Sequence, residues 1–303
     1  MKKSILSLLL CLIGIASTQT IQAAEIYATL VNGTFTLYYD NQKATRFGVV
    51  AEWTEADGSF YLSDVVQKNV TTVVLDPSMQ VARPTITVLW FYNFANATQI
   101  TGLGYLNTSE VTDMGGMFYK CEAVTTLDVS GFDTQNVTDM SYMFNGCEAV
   151  TTLDVSGFKT QDVTDMRAMF VSCSSLTTLD LTGFDTQKVK NMDAMFGLCS
   201  SLTTIYCNDD WSQINSETIT SDMFYGCDEL VGENGTAYDE EYVDATYARP
   251  DEEGTPGYFT KKGTNAIDNV SADKAQSTKF FRDGMLIIRH GEKEYNAQGI
   301  MIK

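Results

Sequence analysis

The stretch NVTDMSYMFNGCEAVTTLDVSGF, residues 136–158, decides the fold, because the chain repeats it closely as DVTDMRAMFVSCSSLTTLDLTGF at residues 162–184. The dipeptide Met-Phe marks the same position in every copy and recurs after 26, 26, 26 and 28 residues. It begins at Met117, Met143, Met169, Met195 and Met223. Self-similarity at a fixed period of this size is the sequence signature of a repeat architecture.

Each copy combines two local patterns. Residues 151–155 (TTLDV) alternate polar and apolar side chains, which predicts a short strand with Leu153 and Val155 on the buried face. Residues 137–147 place apolar side chains at offsets of 0, 3, 7 and 10, which predicts a helical turn. Such a unit cannot bury its apolar side alone, whereas stacked copies cover one another. We therefore expect an α/β repeat, a leucine-rich-repeat solenoid with a β-rich N-terminal cap and a small β C-terminal module.

Five cysteines recur in step with the repeat, and a sixth, Cys207, aligns with the apolar residue Leu181. In an exported protein, disulfides are the first expectation. Equivalent residues in neighbouring strands lie about 4.8 Å apart, which is wider than the Cβ separation of about 3.5–4.5 Å in a disulfide. We therefore predict six reduced, buried thiols that fill the core, and we interpret the recurring methionines in the same way. The repeat cysteines are Cys121, Cys147, Cys173, Cys199 and Cys227.

The N-terminus has the pattern of a secretory signal peptide. Lys2 and Lys3 precede an apolar run over residues 5–15, and the small residues Ala23 and Ala24 follow Gln22. We predict a signal peptide over residues 1–23 and an exported protein that is extracellular or lies on the bacterial outer cell surface. The apolar run is too short for a spanning helix, and no later run is long enough to predict a transmembrane segment.

Composition divides the remaining chain. Residues 24–105 contain strand-like stretches such as FTLYY, FYLSDVV and TVVL, which predict a β-rich N-terminal leader or cap. Residues 106–231 hold about five repeats, and the acidic, glycine-rich residues 232–262 predict a C-terminal cap. Residues 263–277 are small and polar, as in a linker. Residues 278–303 alternate apolar bursts with glycine-containing turns, which predicts a module of two or three short strands.

The run MFxxCxxLTTLDLTGFDTQxVxxM resembles the BspA-like leucine-rich-repeat surface proteins of bacteria. The stretches FTLYYDNQ (35–42), VVLDPSM (73–79) and LWFYNF (89–94) resemble the leader domain of such proteins, and YARPDEEGTPGYFT (247–260) is similar to their closing segment. The resemblance implies a surface antigen or adhesin, of which some members bind host extracellular matrix proteins. Residues 278–303 resemble the sorting or anchoring modules of proteins exported by type IX secretion.

Charge and composition weigh against several function classes. A net charge of −19 argues against nucleic acid or an anionic membrane as the main partner, because phosphate binding needs clustered Lys and Arg. The single histidine, His290, lies in the C-terminal tail, far in sequence from every cysteine, and we interpret it as a turn residue. No zinc spacing and no glycine-rich phosphate loop occurs. Carboxylates alone leave a two-carboxylate hydrolase open, but they recur with the repeat, so we predict no enzyme, no catalytic residue and no cofactor.

The best candidates for function lie on the outer face of the predicted strands. Asp128, Asp154 and Asp180 form one column there, and carboxylates about 5 Å apart repel one another. Three interpretations remain open: a solvated face, a surface for a partner with basic groups, or a divalent cation on the column. The candidate partner-binding residues are Thr126, Asp128, Ser130, Thr152, Asp154, Ser156, Thr178, Asp180 and Thr182.

We therefore expect a non-catalytic surface protein that mediates recognition or adhesion to a protein partner, such as a host matrix or cell-surface protein. The first alternative is a structural or assembly component of the cell envelope. The second is carbohydrate binding, which requires that Trp90, Phe91 and Phe94, or Trp211, are exposed for stacking on sugars. If they are buried, the Trp90 group covers the open apolar end of the first repeat.

Overall fold

The structure, a computed structural model, divides into two compact units, residues 1–261 and 262–303, which are described separately. All but the last residue of the predicted signal peptide (1–23), and all but the first of the predicted linker (263–277), lie outside the described residues. The structure describes residues 23–53, 60, 62–213 and 217–263, and the backbone of 278–282, 285–290 and 293–295.

The first unit begins with a sheet of five strands in the order β3-β1-β2-β4-β5. An antiparallel hairpin joins β1 and β2 through Asn32 and Gly33, which both have positive φ (49° and 81°), as a tight hairpin turn requires. β4 and β5 add in parallel beyond β2. The strands are β1 (Glu25–Val31), β2 (Thr34–Asp40), β3 (Val49–Glu52), β4 (Thr72–Leu75) and β5 (Gln99–Thr101).

The stretch FYLSDVV, residues 60–66, was expected to be strand-like, and this expectation is wrong. A short helix, α1 (Asp64–Asn69), begins within it. Ser63 is its N-cap, and the Ser63 side-chain oxygen accepts a hydrogen bond from the backbone N–H of Val66 (3.4 Å). The capping serine and the acidic Asp64 in the first turn outweigh the β-branched residues that follow.

The predicted α/β leucine-rich-repeat solenoid is wrong. Among the described residues α1 is the only α-helix, and it precedes the repeats. Residues 137–147 form successive turns, because Tyr142 and Gly146 have positive φ (57° and 75°), which a right-handed helix cannot accommodate. Their N–H groups donate to carbonyls of the next copy, those of Arg167 and Val171 (both 2.8 Å), instead of forming helical bonds within the segment. The architecture is β-rich, with open sheets and turn-rich repeats.

Strands are also fewer than the repeat pattern predicts. In the repeat region, defined here as residues 106–231, the described chain has two strands, β6 (Thr178–Asp180) and β7 (Thr204–Tyr206). They form a parallel sheet with β8 (Phe259–Thr260), which follows the region. Elsewhere isolated parallel bridges link neighbouring copies: Ile86–Asp113, Asp113–Asp139, Asp139–Asp165, Asp165–Asn191 and Asn191–Ile219.

The core of the repeat region consists of columns of equivalent apolar side chains. One column is a stack of nearly parallel phenylalanine rings, with centroids 5.4–5.8 Å apart and interplanar angles of 2–15°. All of these rings are fully buried, so each copy covers the next through aromatic contact. The column contains Phe118, Phe144, Phe170, Phe196 and Phe224.

Aromatic residues cover both ends of this column. At the first end Phe91 stacks on Phe118 with ring centroids 5.5 Å apart, and the adjacent Trp90 is fully buried. At the other end Tyr258 and Phe259 pack edge-on against Phe224, at 5.1 and 6.3 Å. The Trp90 group therefore covers the first repeat, in agreement with the capping interpretation.

The second unit contains a three-stranded antiparallel sheet in the order β11-β10-β9. Its strands are β9 (Thr278–Arg282), β10 (Met285–His290) and β11 (Lys293–Tyr295). This agrees with the two or three short strands predicted from the glycine-containing turns. No helix in the described part of either unit is long and apolar enough to cross a membrane.

Candidate functional site

The nine predicted partner-binding residues lie on one face of the repeat region, which we call the threonine face. Thr126, Thr152 and Thr178 are exposed, whereas the leucine that follows each of them is buried. The alternation predicted for these segments is therefore present, although only the third copy forms a strand. The structure brings these residues to equivalent positions of successive copies: Thr126, Asp128 and Ser130; Thr152, Asp154 and Ser156; Thr178, Asp180 and Thr182.

The three aspartates of the threonine face close turns. Oδ1 of Asp154 accepts the hydroxyl and the backbone N–H of Ser156, at 2.7 and 3.0 Å. The same pair of bonds joins Asp128 to Ser130 (2.6 and 3.3 Å) and Asp180 to Thr182 (2.7 and 3.1 Å). Sequence reasoning missed this role, although the spacing D-x-[ST]-G is a known turn signal. The recurrence of aspartate at this position is thus explained in part by the turn that each aspartate closes.

The divalent-cation alternative receives no support from the geometry. Within the described ranges no three or more His, Cys, Asp or Glu side chains are placed to hold a metal ion. In each candidate aspartate one carboxylate oxygen already accepts two hydrogen bonds from its own turn. The threonine face is therefore better interpreted as a hydrogen-bonding surface than as a cation-binding site.

A second row of polar residues supports the backbone between copies. Oδ1 of Asp139 accepts the N–H of Ser141 (2.8 Å), and Oδ1 of Asp165 accepts the N–H of Arg167 (2.8 Å). Asn191 repeats the contact through its side-chain oxygen. The prediction that Asp139, Asp165 and Asn191 are structural turn residues is confirmed. Burial raises the pKa of Asp165, and the neighbouring charge of Asp139 raises it further.

The six predicted thiols are free and buried, as expected. Each repeat cysteine donates to the carbonyl of a phenylalanine in the preceding copy, as Cys173 does to Phe144 (3.2 Å) and Cys199 to Phe170 (3.0 Å). Burial raises the pKa of Cys207 and of Cys227 to about 12. A buried, protonated thiol is a poor nucleophile, so these cysteines stabilise the core.

The tryptophans predicted as a sugar-stacking surface are buried. Trp90 is 0% exposed and Trp211 is 1% exposed, and both pack against other aromatic rings. A sugar ring must reach the face of an indole to stack on it. Carbohydrate capture by Trp90, Phe91, Phe94 or Trp211 is therefore excluded for the structure as it stands.

Half-buried tyrosines form a second exposed feature, which we call the tyrosine strip. Tyr119 lies 5.3 Å from Tyr92 and 5.8 Å from Tyr142 between ring centroids. The Arg167 guanidinium lies 5.1 Å from the Tyr142 centroid, and the Lys120 ammonium lies 5.3 Å from the Tyr119 centroid. Tyrosine and arginine are enriched at protein–protein interfaces. The residues were missed because no fixed repeat position carries them.

Buried threonines join the copies by side-chain hydrogen bonds. The Thr134 hydroxyl donates to the carbonyl of Lys159 (3.1 Å) and accepts the N–H of the same residue (2.7 Å). Thr160 makes the same two bonds with Asp185, at 3.0 and 2.7 Å. We call this series, which begins at Thr108, the threonine ladder. Its sequence signal is the recurring F-[DK]-T-Q, which sequence reasoning did not use.

Comparison with known proteins gives one similarity. A family model described as "Mycoplasma protein of unknown function, DUF285" matches residues 90–211, which is less than half of the chain. No curated protein and no solved structure gives a significant match. The matched residues run from Trp90 through most of the repeat region, and the family carries no functional description. The resemblance to BspA-like surface proteins stays a prediction.

Proposed function

We propose that this chain is a non-catalytic recognition protein that binds a protein partner through the threonine face. The observation that carries the proposal is the row of Thr126, Thr152 and Thr178. These side chains are exposed, they occupy equivalent positions of successive copies, and their hydroxyls make no hydrogen bond to any residue that the structure describes. Hydroxyls that serve neither the core nor a turn are available to a partner.

Charge and surface composition support a protein partner. The aspartates beside the threonine row carry negative charge, so a partner surface with lysine or arginine complements the face. The tyrosine strip adds aromatic surface of the kind that binds proteins. We further propose, from the signal peptide predicted over residues 1–23, that recognition takes place outside the bacterial cell, with a host matrix or neighbouring-cell protein as the partner.

The test begins with the full chain and a panel of host matrix proteins and glycans, with surface-binding isotherms at physiological salt. The decisive variant is Thr126→Val/Thr152→Val/Thr178→Val, which keeps side-chain shape and leaves the aspartate turns intact. Thr246→Val, an exposed substitution outside the repeat region, is the control. Saturable binding that the triple variant loses and the control keeps supports the proposal.

A second variant separates charge from hydrogen bonding. Asp128→Asn/Asp154→Asn/Asp180→Asn retains the side-chain oxygen that closes each turn but removes three charges. A loss of binding that is larger at low salt indicates a basic partner surface. If the folded wild-type chain binds no member of the panel, the alternative function, a structural component of the cell envelope, is favoured.

A further inference from the structure

The threonine ladder ends at Thr186, a mostly buried residue whose hydroxyl has no partner among the described residues. Thr186 occupies the position of Thr134 and Thr160 in the next copy and is 8% exposed. Thr134 and Thr160 each bond the carbonyl and the N–H of the residue 25 positions later. The Thr186 hydroxyl makes no hydrogen bond within the described part of the chain.

The reason is that the chain leaves the repeat pattern at this point. The residue 25 positions after Thr186 is Trp211, and its N–H donates to the carbonyl of Ala248 (2.8 Å). Among the described residues, only the indole nitrogens of Trp53 and Trp211 are buried without a hydrogen-bond partner, so the Thr186 hydroxyl keeps contact with solvent and is accessible to a ligand. In the preceding copies the equivalent hydroxyl donates to the carbonyl of one residue and accepts the N–H of the same residue.

A cleft of about 640 Å³ lies at this place. Thr186 lines it together with Asp185, Asp209, Asp210 and Trp211, and none of the described lining residues is a lysine or arginine. Asp210 is oriented by two hydrogen bonds from Ser212, from its N–H (2.9 Å) and its hydroxyl (2.5 Å). The cleft therefore joins a hydroxyl that has no partner among the described residues to three carboxylates.

We propose that this cleft binds an extended peptide segment with lysine or arginine side chains. One residue of the ligand occupies the position that the following repeat occupies elsewhere: its N–H donates to the Thr186 hydroxyl, and this hydroxyl donates to its carbonyl. The basic side chains pair with the carboxylates of Asp185, Asp209 and Asp210. Recognition of an extended chain by backbone hydrogen bonds, with side chains giving specificity, is an established mode of peptide binding. None of the nine threonine-face residues is among the described residues that line the cleft, and the proposal does not depend on that face.

The test uses the full chain and a fluorescein-labelled hexapeptide of alternating lysine and valine, blocked at both ends. Alternation of β-branched and long side chains favours the extended form. We expect saturable binding by fluorescence anisotropy at low and physiological salt. Thr186→Val is expected to weaken it about ten-fold, because two hydrogen bonds are lost. Asp209→Asn/Asp210→Asn is expected to weaken it mainly at low salt.

Controls separate this site from the rest of the acidic surface. Asp128→Asn on the threonine face is expected to leave the affinity unchanged, and a peptide with glutamate in place of lysine is expected not to bind. Thr186→Val removes no internal hydrogen bond, so an unchanged melting temperature shows that the variant is folded. The proposal is overturned if the lysine peptide does not bind, if Thr186→Val binds it as tightly as the wild type, or if the glutamate peptide binds equally.

Discussion

At the scale of single residues, position within the repeat decides what a side chain contributes. Thr160 and Thr186 are the same residue type and both are buried, but only Thr160 forms hydrogen bonds with the next copy. The same contrast separates Asp154, which closes a turn, from Thr152, whose hydroxyl makes no hydrogen bond to a described residue. The best candidates for function are therefore polar groups that form no hydrogen bond within the fold.

The first prediction compares these two threonines. Thr160→Val removes two hydrogen bonds and leaves the polar backbone of Asp185 unpaired, so we expect a loss of about 2 kcal/mol in the free energy of unfolding. Thr186→Val removes none, and we expect a change within about 0.5 kcal/mol. Urea denaturation of both variants measures the difference, and equal losses would contradict the assignment of Thr186 as unpartnered.

The second prediction concerns acid stability. Burial alone would raise the pKa of Asp251, but hydrogen bonds from Thr236, Asn234 and Gly257 outweigh it and hold the pKa below its ordinary value. A carboxylate with a lowered folded-state pKa stabilises the fold above the unfolded-state pKa, about 3.9, and that stability is lost as the pH falls through the folded-state pKa.

Asp251→Asn is expected to lower the free energy of unfolding at pH 7 and to flatten its decline below about pH 4. Urea midpoints measured from pH 7 to pH 3 test both effects. Phe47→Ala, at an exposed position, is the control and is expected to retain the wild-type slope. If the free energy of unfolding of Asp251→Asn declines as steeply below about pH 4 as that of the wild type, this carboxylate is not a source of the pH dependence.

At the scale of structural elements, left-handed residues replace the expected helical turn. Two positions in each copy have positive φ: the residue before Met-Phe, such as Tyr142 or Ala168, and the residue before the cysteine, such as Ser172. The second position carries glycine in two copies, Gly146 and Gly226. Each left-handed non-glycine residue costs about 1 kcal/mol, which contacts between copies offset.

The third prediction follows from that conformation. Ser172→Gly is expected to raise the free energy of unfolding by about 0.5 kcal/mol, because relief of the left-handed backbone exceeds the entropy that glycine loses. Ser175→Gly is the matched control, since Ser175 does not have positive φ, and is expected to lower stability by a similar amount. Thermal denaturation compares the two, and destabilisation by Ser172→Gly would contradict the strain argument.

The sequence predicts the recurring contacts of these elements better than it predicts their backbone conformation. The period, the buried cysteine and leucine positions and the turn residue Asp139 follow from spacing. The helical turn at residues 137–147 does not, because apolar offsets of 0, 3, 7 and 10 also fit consecutive tight turns. Tyr142 and Ser172 have left-handed backbone conformations but are not glycines, so the sequence does not indicate that conformation. The unpartnered hydroxyl of Thr186 can be predicted only when it is known that the following copy is missing.

At the scale of the whole molecule, aromatic stacking connects the copies of the repeat region. The phenylalanine column continues from Phe91 to Phe224 and ends against Tyr258 and Phe259. If one ring of the column is removed, both neighbouring rings lose an aromatic contact. The column therefore helps to hold successive copies of the repeat region together.

The fourth prediction tests this connection. Phe170→Ala, in the middle of the column, is expected to cost about 3–5 kcal/mol, because it creates a cavity between Phe144 and Phe196. The exposed Phe47→Ala is the control, at 85% exposure, and is expected to change stability by less than about 0.5 kcal/mol. A small loss in Phe170→Ala would show that the copies are held together mainly by backbone bonds.

The central claim is that the threonine face recognises a partner. Its most direct test is the ratio of the dissociation constants of the Thr126→Val/Thr152→Val/Thr178→Val variant and the wild-type full chain, for the first panel ligand that binds saturably. Three lost hydrogen bonds predict a ratio of at least about 10, with an unchanged melting temperature. A ratio near 1 in a folded variant would place recognition elsewhere on the molecule and contradict the proposal.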